Sequence, residues 1–304
     1  MIPSVSCFSY LASVQTLQVE RFPPINYGTD VVSSERFVAG DGPIVAGALC
    51  ALGDPAVLGS NQVADDDAGH AVLMRLRRWG VTLAPSAASA SHTRANVVIC
   101  DRDGNRTWFS GLRGVADELA AIDLAALLAP PLAYIDCYEV LGAAPRALLA
   151  AALDAGTDIV LNLGGSPPAP WLTTVIGQRR IGVVQTNADE NDAAEAEHTL
   201  DALSALGIAD AAVVTVGRRG ALARTRTGTT LAAPAVTVDV RQVHGAGAAF
   251  SAALIHARRR GETLPACLRF ACAAGSLWCS RPSDAPLPRA RDITALLDRP
   301  SGDR

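Results

Sequence analysis

The 304-residue sequence contains no lysine; all 26 of its basic residues are arginine. A chain without lysine cannot build a Walker-type phosphate loop, form a pyridoxal Schiff base or use an amine nucleophile. Any phosphate chemistry falls to arginine, metal ions and backbone N–H groups. The seven cysteines, Cys7, Cys50, Cys100, Cys137, Cys267, Cys272 and Cys279, include no CxxC pair, and most sit in apolar runs. That pattern excludes a disulfide framework and a zinc site and predicts free thiols in a reducing, cytoplasmic setting. A basic excess is also missing. The formal net charge is −4, which argues against a nucleic-acid partner. No run is long enough to span a bilayer, and the start MIPSVSCFSYLASVQTLQVE lacks the basic region of a signal peptide, so no membrane partner is expected. Glycine (26) and proline (18) are too sparse for a collagen-like or disordered chain. Arginines cluster at Arg75–Arg78, Arg218–Arg219 and Arg258–Arg260, and the two clusters on helix-like segments read as solvated faces.

What is present alternates between two textures. Residues 10–40 and 92–111 are β-rich, the second with two strand-like runs about the turn Asp101-Arg102-Asp103-Gly104-Asn105. Elsewhere, helical stretches (45–52, 68–79, 123–128, 145–155, 189–206, 246–260 and 264–279) alternate with short apolar strands (56–58, 132–135, 158–163, 182–185 and 211–216). This alternation predicts a single α/β domain over 1–304. Its central sheet is mostly parallel and covered by helices on both faces, and its ligands sit beyond the strands' carboxyl ends. The two β-rich segments predict a small sheet lying over that mouth as a lid.

Four local patterns carry chemistry. His244-Gly245-Ala246-Gly247-Ala248 opens a long helix, and unpaired N–H groups with the helix dipole favour an anion there. Asn187-Ala188-Asp189-Glu190 follows a strand. It fits either a helix cap or a polar pair that holds Mg²⁺ through water near a phosphate. Gly217-Arg218-Arg219-Gly220 is a glycine-bracketed turn, either a plain hairpin or a loop beside a nucleotide. Ala39-Gly40-Asp41-Gly42-Pro43 reads as a flexible loop leading into a helix.

Together and in this order, the four patterns resemble the ribokinase-like PfkB carbohydrate kinase family. The passage GALCALGDPAVLGSNQVADDDAGHAVLMRLRRWGV and the tail CAAGSLWCSRPSDAPLP add to the likeness. The resemblance implies transfer of the γ-phosphoryl group of ATP, with Mg²⁺, to a hydroxyl of a sugar or nucleoside-like acceptor, and a homodimer formed through the lid. By position, Gly245, Ala246 and Gly247 would form the anion hole. Asn187 and Glu190 would organise metal and phosphates, with Glu190 reaching the metal through water. Gly217, Arg218, Gly220 and His244 would border the nucleotide.

The departures lie on the acceptor side. The family's Gly-Ala-Gly-Asp ends here in Ala248, which can neither accept a proton nor orient a hydroxyl. Loss of a general base typically costs ~10²–10⁴-fold in rate. The Asp-Thr-Thr that usually precedes the glycines is Gln242-Val243-His244, the sugar-contacting Asp of the first strand is read as Gln15, and the Asn opening the first helix as Ile44. Asp41 and Gly42 are the nearby candidates for acceptor contact, and His244 is weighed as a substitute base. Two readings follow: a kinase scaffold disabled at position 248, or a noncatalytic nucleotide-binding pseudokinase or repurposed relative with another reaction.

Overall fold

The computed structural model describes residues 3–102 and 105–299. In chain order the first half contains β1 (Val5–Phe8), β2 (Ala12–Val19), β3 (Val31–Ala39), α1 (Asp41–Leu52), β4 (Ala56–Gly59), α2 (Asp67–Trp79), β5 (Thr82–Leu83), β6 (Ala95–Cys100), β7 (Arg106–Ser110), α3 (Val115–Ala120), α4 (Leu124–Leu127) and β8 (Leu132–Asp136). The second half adds α5 (Ala144–Asp154), β9 (Asp158–Asn162), α6 (Trp171–Ile176), β10 (Ile181–Asn187), α7 (Ala193–Ala205), β11 (Ala209–Thr215), β12 (Ala221–Thr225), β13 (Thr230–Ala233), α8 (Ala246–Arg259), α9 (Leu264–Cys279) and α10 (Ala290–Leu297).

Nine strands form one sheet in the order β13-β12-β11-β10-β9-β8-β1-β4-β5, parallel from β5 to β11 and antiparallel at β12 and β13. β1, β4 and β8 are buried at every position, which requires helical cover on both faces and accounts for their mostly apolar sequences. The direction of winding reverses at β1, which has β4 on one side and β8 on the other. That reversal is the switch point at which α/β sheets open a crevice. The last residues of β8, β9 and β10 are Asp136, Asn162 and Asn187, so the register delivers three polar side chains to the carboxyl edge. α1 and α8 start at the same edge and pack against each other.

A second sheet, β3-β2-β6-β7, is formed by strands that fall within residues 10–40 and 92–111. Asp103 and Gly104, in the turn expected between β6 and β7, lie outside the described residues. Register decides which way the lid side chains point. Val14 lies opposite Phe37 and Asn96, whereas Gln15 lies opposite Arg36 and Val97. Phe37 packs on the body through His244 and Trp278, so Val14 shares the body-facing side and Gln15 faces the other way. Asp66 caps α2 by accepting from Gly69 N–H at 2.7 Å, and it also receives the N–H and hydroxyl of Thr93 at 2.9 and 2.6 Å. These bonds hold its carboxyl down at about 2 and join the helix to the segment leading into the lid.

Several boundaries differ from the sequence reading. The segment expected to be a flexible loop at Asp41–Pro43 is the first turn of α1; Gly40, at φ 104°, makes the reversal before it. α7 begins at Ala193 rather than 189. Asp189 Oδ1 takes Asn191 N–H at 2.8 Å in a local turn, and Asp192 caps the helix through Glu195 N–H at 2.9 Å. Asn187 therefore ends a strand and caps no helix. α3, α6 and α10, all short, were not foreseen. Arg258 and Arg259 are not a solvated face: Arg258 pairs with Asp158 at 3.0 Å and Arg259 with the buried Asp54.

Candidate functional site

The start of α8 is open. Gly245 takes φ 85° because a Cβ there would meet Trp278 Cζ2 at 2.9 Å and Ile44 Cδ1 at 3.1 Å in an already unfavourable conformation. Ala246 N–H is bonded to Val243 O at 3.3 Å, and Ala249 N–H returns to Gly245 O at 2.9 Å. Gly247 and Ala248 N–H have no backbone partner among the described residues, at the positive end of the helix. Nothing lies within 4 Å of the space a Gly247 Cβ would occupy. Of the three amides assigned by sequence to the anion hole, Ala246 is thus already paired, while Gly245 and Gly247 have no hydrogen-bond partner among the described residues, and Ala248 N–H joins them. The Ala248 side chain is itself buried, at 1% exposure, so this position of the helix start holds a methyl and no carboxylate. Beneath the turn, Ser251 Oγ donates to Gly247 O at 2.9 Å and Gln185 Nε2 donates to Ser251 Oγ at 2.7 Å, which fixes the peptide from below.

Beside it lies a polar cluster that the sequence reading only partly named. Tyr138 OH donates to Asp41 Oδ2, and Asn162 Nδ2 reaches the same oxygen at 3.2 Å. Asn162 Nδ2 also lies 2.9 Å from Asp136 Oδ1, which accepts from Tyr134 OH at 2.7 Å. Gly42 N–H donates to Asp136 Oδ2 at 3.1 Å. Asp136 is completely buried, and its carboxyl is pushed up to about 7, first by desolvation and then by the neighbouring charge of Asp41. Burial and the two carboxylates likewise raise the Tyr134 and Tyr138 phenols. Asp41 and Gly42 therefore join this cluster, while Ile44 packs behind Gly245. Gln15 is elsewhere: its amide bonds Ser34 Oγ at 3.0 Å on the far face of the lid.

Asn162 Oδ1 accepts Gly164 N–H at 3.2 Å, and Gly165 N–H donates to Thr186 Oγ1 at 3.1 Å. Any Cβ on Gly164 would overlap the Tyr138 ring, and one on Gly165 would come within 3.0 Å of the Asn187 amide. This glycine pair links the polar cluster to the Asn187 side of the mouth. There, Arg218 N–H donates to Glu190 Oε2 at 2.8 Å, Arg218 Nη2 donates to Asn191 Oδ1 at 2.8 Å, and a Cβ on Gly217 would overlap Glu190. Gly217 and Gly220 bracket a single helical turn between β11 and β12, both at positive φ. Glu190 is thus committed to the Arg218 turn and fits poorly as the holder of a resident metal. Among the described residues, no three His, Cys, Asp or Glu side chains converge on a cation.

His244 does not point at an acceptor. Its ring stands edge-on to Phe37 at 5.8 Å, Nε2 lies 3.4 Å from Val38 O, and burial pulls its pKa down. Trp278 Nε1 donates to His244 O at 2.7 Å, so the residue is packed under the base of the lid and is not a solvated loop histidine. The seven cysteines are free, and Cys7, Cys137, Cys267 and Cys272 are buried.

The doubly covered sheet, the small second sheet over its carboxyl edge and the amide-lined start of α8 define a ribokinase-fold protein. Residues 168–290 match the model of the pfkB family carbohydrate kinases, so the family resemblance read from the sequence is borne out. The chain is similar in structure to the ribokinase of Arabidopsis thaliana complexed with ribose and ATP, at TM-score 0.76 and 19% identity, covering 99% of this chain and 100% of that one. It is similar to a microbiome-derived acarbose kinase at TM-score 0.78 and 19% identity, covering 98% and 99% of the two chains. It also matches a Burkholderia thailandensis nucleoside kinase in complex with inosine, at TM-score 0.75 and 20% identity, covering 96% and 95%. No curated protein sequence matches the chain. No helix among the described residues is long and apolar enough to cross a membrane.

Proposed function

We propose that the chain is an ATP-dependent phosphotransferase acting on a hydroxyl of a sugar or nucleoside-like small molecule. The observation that carries this reading is the set of N–H groups on Gly247 and Ala248 that have no partner among the described residues, at a helix start packed beside that of α1, which bears Asp41. Phosphoryl transfer depends mainly on positioning and on stabilising charge, which main-chain amides and a helix N-terminus supply without lysine. Gly247 and Ala248 receive the transferred group. Asn187 and the Gly217–Gly220 turn border the nucleotide, with Arg218 near its phosphates. Asp41, Gly42 and Asn162 face the acceptor. Mg²⁺ arrives on the nucleotide as part of the substrate, neutralising its phosphates. Support for ATP and for sugar or nucleoside acceptors comes from the kinases of the same fold, which were solved with ribose and ATP or with inosine.

The lid carries exposed Ile25, Tyr27, Val31, Val32, Trp108 and Phe109, an apolar set suited to a homodimer. A second reading, a noncatalytic nucleotide-binding module, is favoured by the buried methyl of Ala248 at the position of the family's base. Thermal shift with Mg·ATP, followed by ADP release against a panel of sugars and nucleosides, separates the two. Binding with turnover supports the kinase, binding without turnover supports the module, and the absence of both sinks the two readings together.

A further inference from the structure

We propose that Asp41 is the catalytic base of this chain, taking the proton of the acceptor hydroxyl in place of the carboxylate missing at position 248. This rests on the phosphotransferase reading and adds to it the group that makes transfer feasible.

The first support is position. Ile44, one turn into α1, lies 3.1 Å from the Cβ position of Gly245, so the starts of α1 and α8 are side by side. Asp41 is the first residue of α1, and its charge is felt by His244, the residue before Gly245. A carboxylate is therefore present at the helix start next to that of α8, offered by the neighbouring helix instead of α8 itself.

The second support is orientation. Asp41 Oδ2 is held by Tyr138 OH and by Asn162 Nδ2, while Oδ1 has no protein hydrogen-bond partner among the described residues. One oxygen is fixed and the other is free to accept, the arrangement a general base requires. No arginine pairs with Asp41 among the described residues. The titratable groups around it are Tyr10 from the turn after β1, Asp136 and Tyr134 from β8, Tyr138 beyond β8, and His244 ahead of α8. None of them presents a fixed positive charge.

In the step, the acceptor O–H proton passes to Asp41 Oδ1 as the hydroxyl oxygen forms its bond to the γ-phosphorus of the nucleoside triphosphate. The bond from that phosphorus to the β-bridging oxygen breaks, and its electron pair leaves with the diphosphate. Asp41 then returns the proton to solvent.

The test measures ADP release from the full-length chain with Mg·ATP and the sugar and nucleoside panel, alongside thermal shift with Mg·ATP. The wild type, Asp41→Asn, Asp41→Glu, Asp41→Ala and Ala248→Asp are compared. The proposal expects wild-type turnover and a loss of ~10²-fold or more in Asp41→Asn with the nucleotide shift kept. It also expects partial activity in Asp41→Glu and recovery of Asp41→Ala by added formate, a rescue that a structural role for the side chain would not produce. Turnover in Asp41→Asn within a few-fold of wild type overturns it, as does a wild type that is silent while Ala248→Asp is active; in both cases the kinase reading stands. Nucleotide binding without turnover in any variant overturns the base and favours the binding module. Loss of binding and turnover together removes the kinase reading itself.

Discussion

The carboxylate of Asp136 accepts the backbone N–H of Gly42 at 3.1 Å, so the last residue of β8 holds the first turn of α1. A completely buried carboxyl group thereby fixes the strand–helix junction on which Asp41 is mounted. Its state of protonation is felt by the whole cluster.

The Asp136 carboxyl is raised from 3.8 to about 7, so the folded chain retains a proton that the unfolded chain releases. Stability linked to this group is full below pH 3.8 and is lost as pH rises through about 7. Asp136→Asn should flatten the difference in urea midpoint between pH 5 and pH 8 relative to wild type. An unchanged pH dependence would show that the carboxyl is not perturbed.

Gly245 and Gly247 separate conformation from access. Gly245→Ala places a methyl at φ 85° within 2.9 Å of Trp278 and should destabilise the fold by ~1–3 kcal/mol, read in denaturant melts. Gly247→Ala meets open space, so it should keep or slightly raise stability while weakening the Mg·ATP thermal shift. Equal effects on binding and stability at both positions would contradict the assignment.

Asp66 holds the start of α2 to Thr93, with its carboxyl lowered to about 2. Its contribution is present above the usual carboxylate range and disappears as pH falls towards 2. Asp66→Ala should lower the melting temperature at pH 7 and hardly change it near pH 2. It should also speed amide exchange in β6, which follows Thr93.

The apolar lid surface predicts self-association. Ile25→Glu with Phe109→Glu should convert a dimer into a monomer in sedimentation velocity, leaving the circular dichroism spectrum intact. A wild-type chain that sediments as a monomer at high concentration would remove the dimer.

The sequence carried the regular elements well where periodicity was strong. α9 matches its predicted limits of 264–279, and the buried strands fall where continuous apolar runs stand. It failed where short-range polar chemistry decides: the turn at Asp189–Asn191 and the Asp192 cap delay α7, and neither has an apolar signature. The amide-lined start of α8 was visible as Gly-Ala-Gly, but the pairing of Ala246 N–H with Val243 O was not, which removes the middle amide of the three and leaves Ala248 N–H to join Gly245 and Gly247. Asp136, Tyr138 and Asn162 were missed because they are distant in sequence and meet only through the β8–β9 register. A polar residue closing an apolar strand, as in LAYID and DIVLN, was the available signal. Gln15 was misplaced for a matching reason: strand parity, fixed by the pairing of Val14 with Phe37, sets the side it faces.

Phe37 touches both His244 and Trp278, and Trp278 in turn grips the carbonyl of His244. The inner end of β3 and the segment leading into α8 thus share one cluster of rings. Interiors packed this tightly do not yield on one side alone. A change in how the upper sheet sits on this cluster must therefore be met by the peptides that open α8.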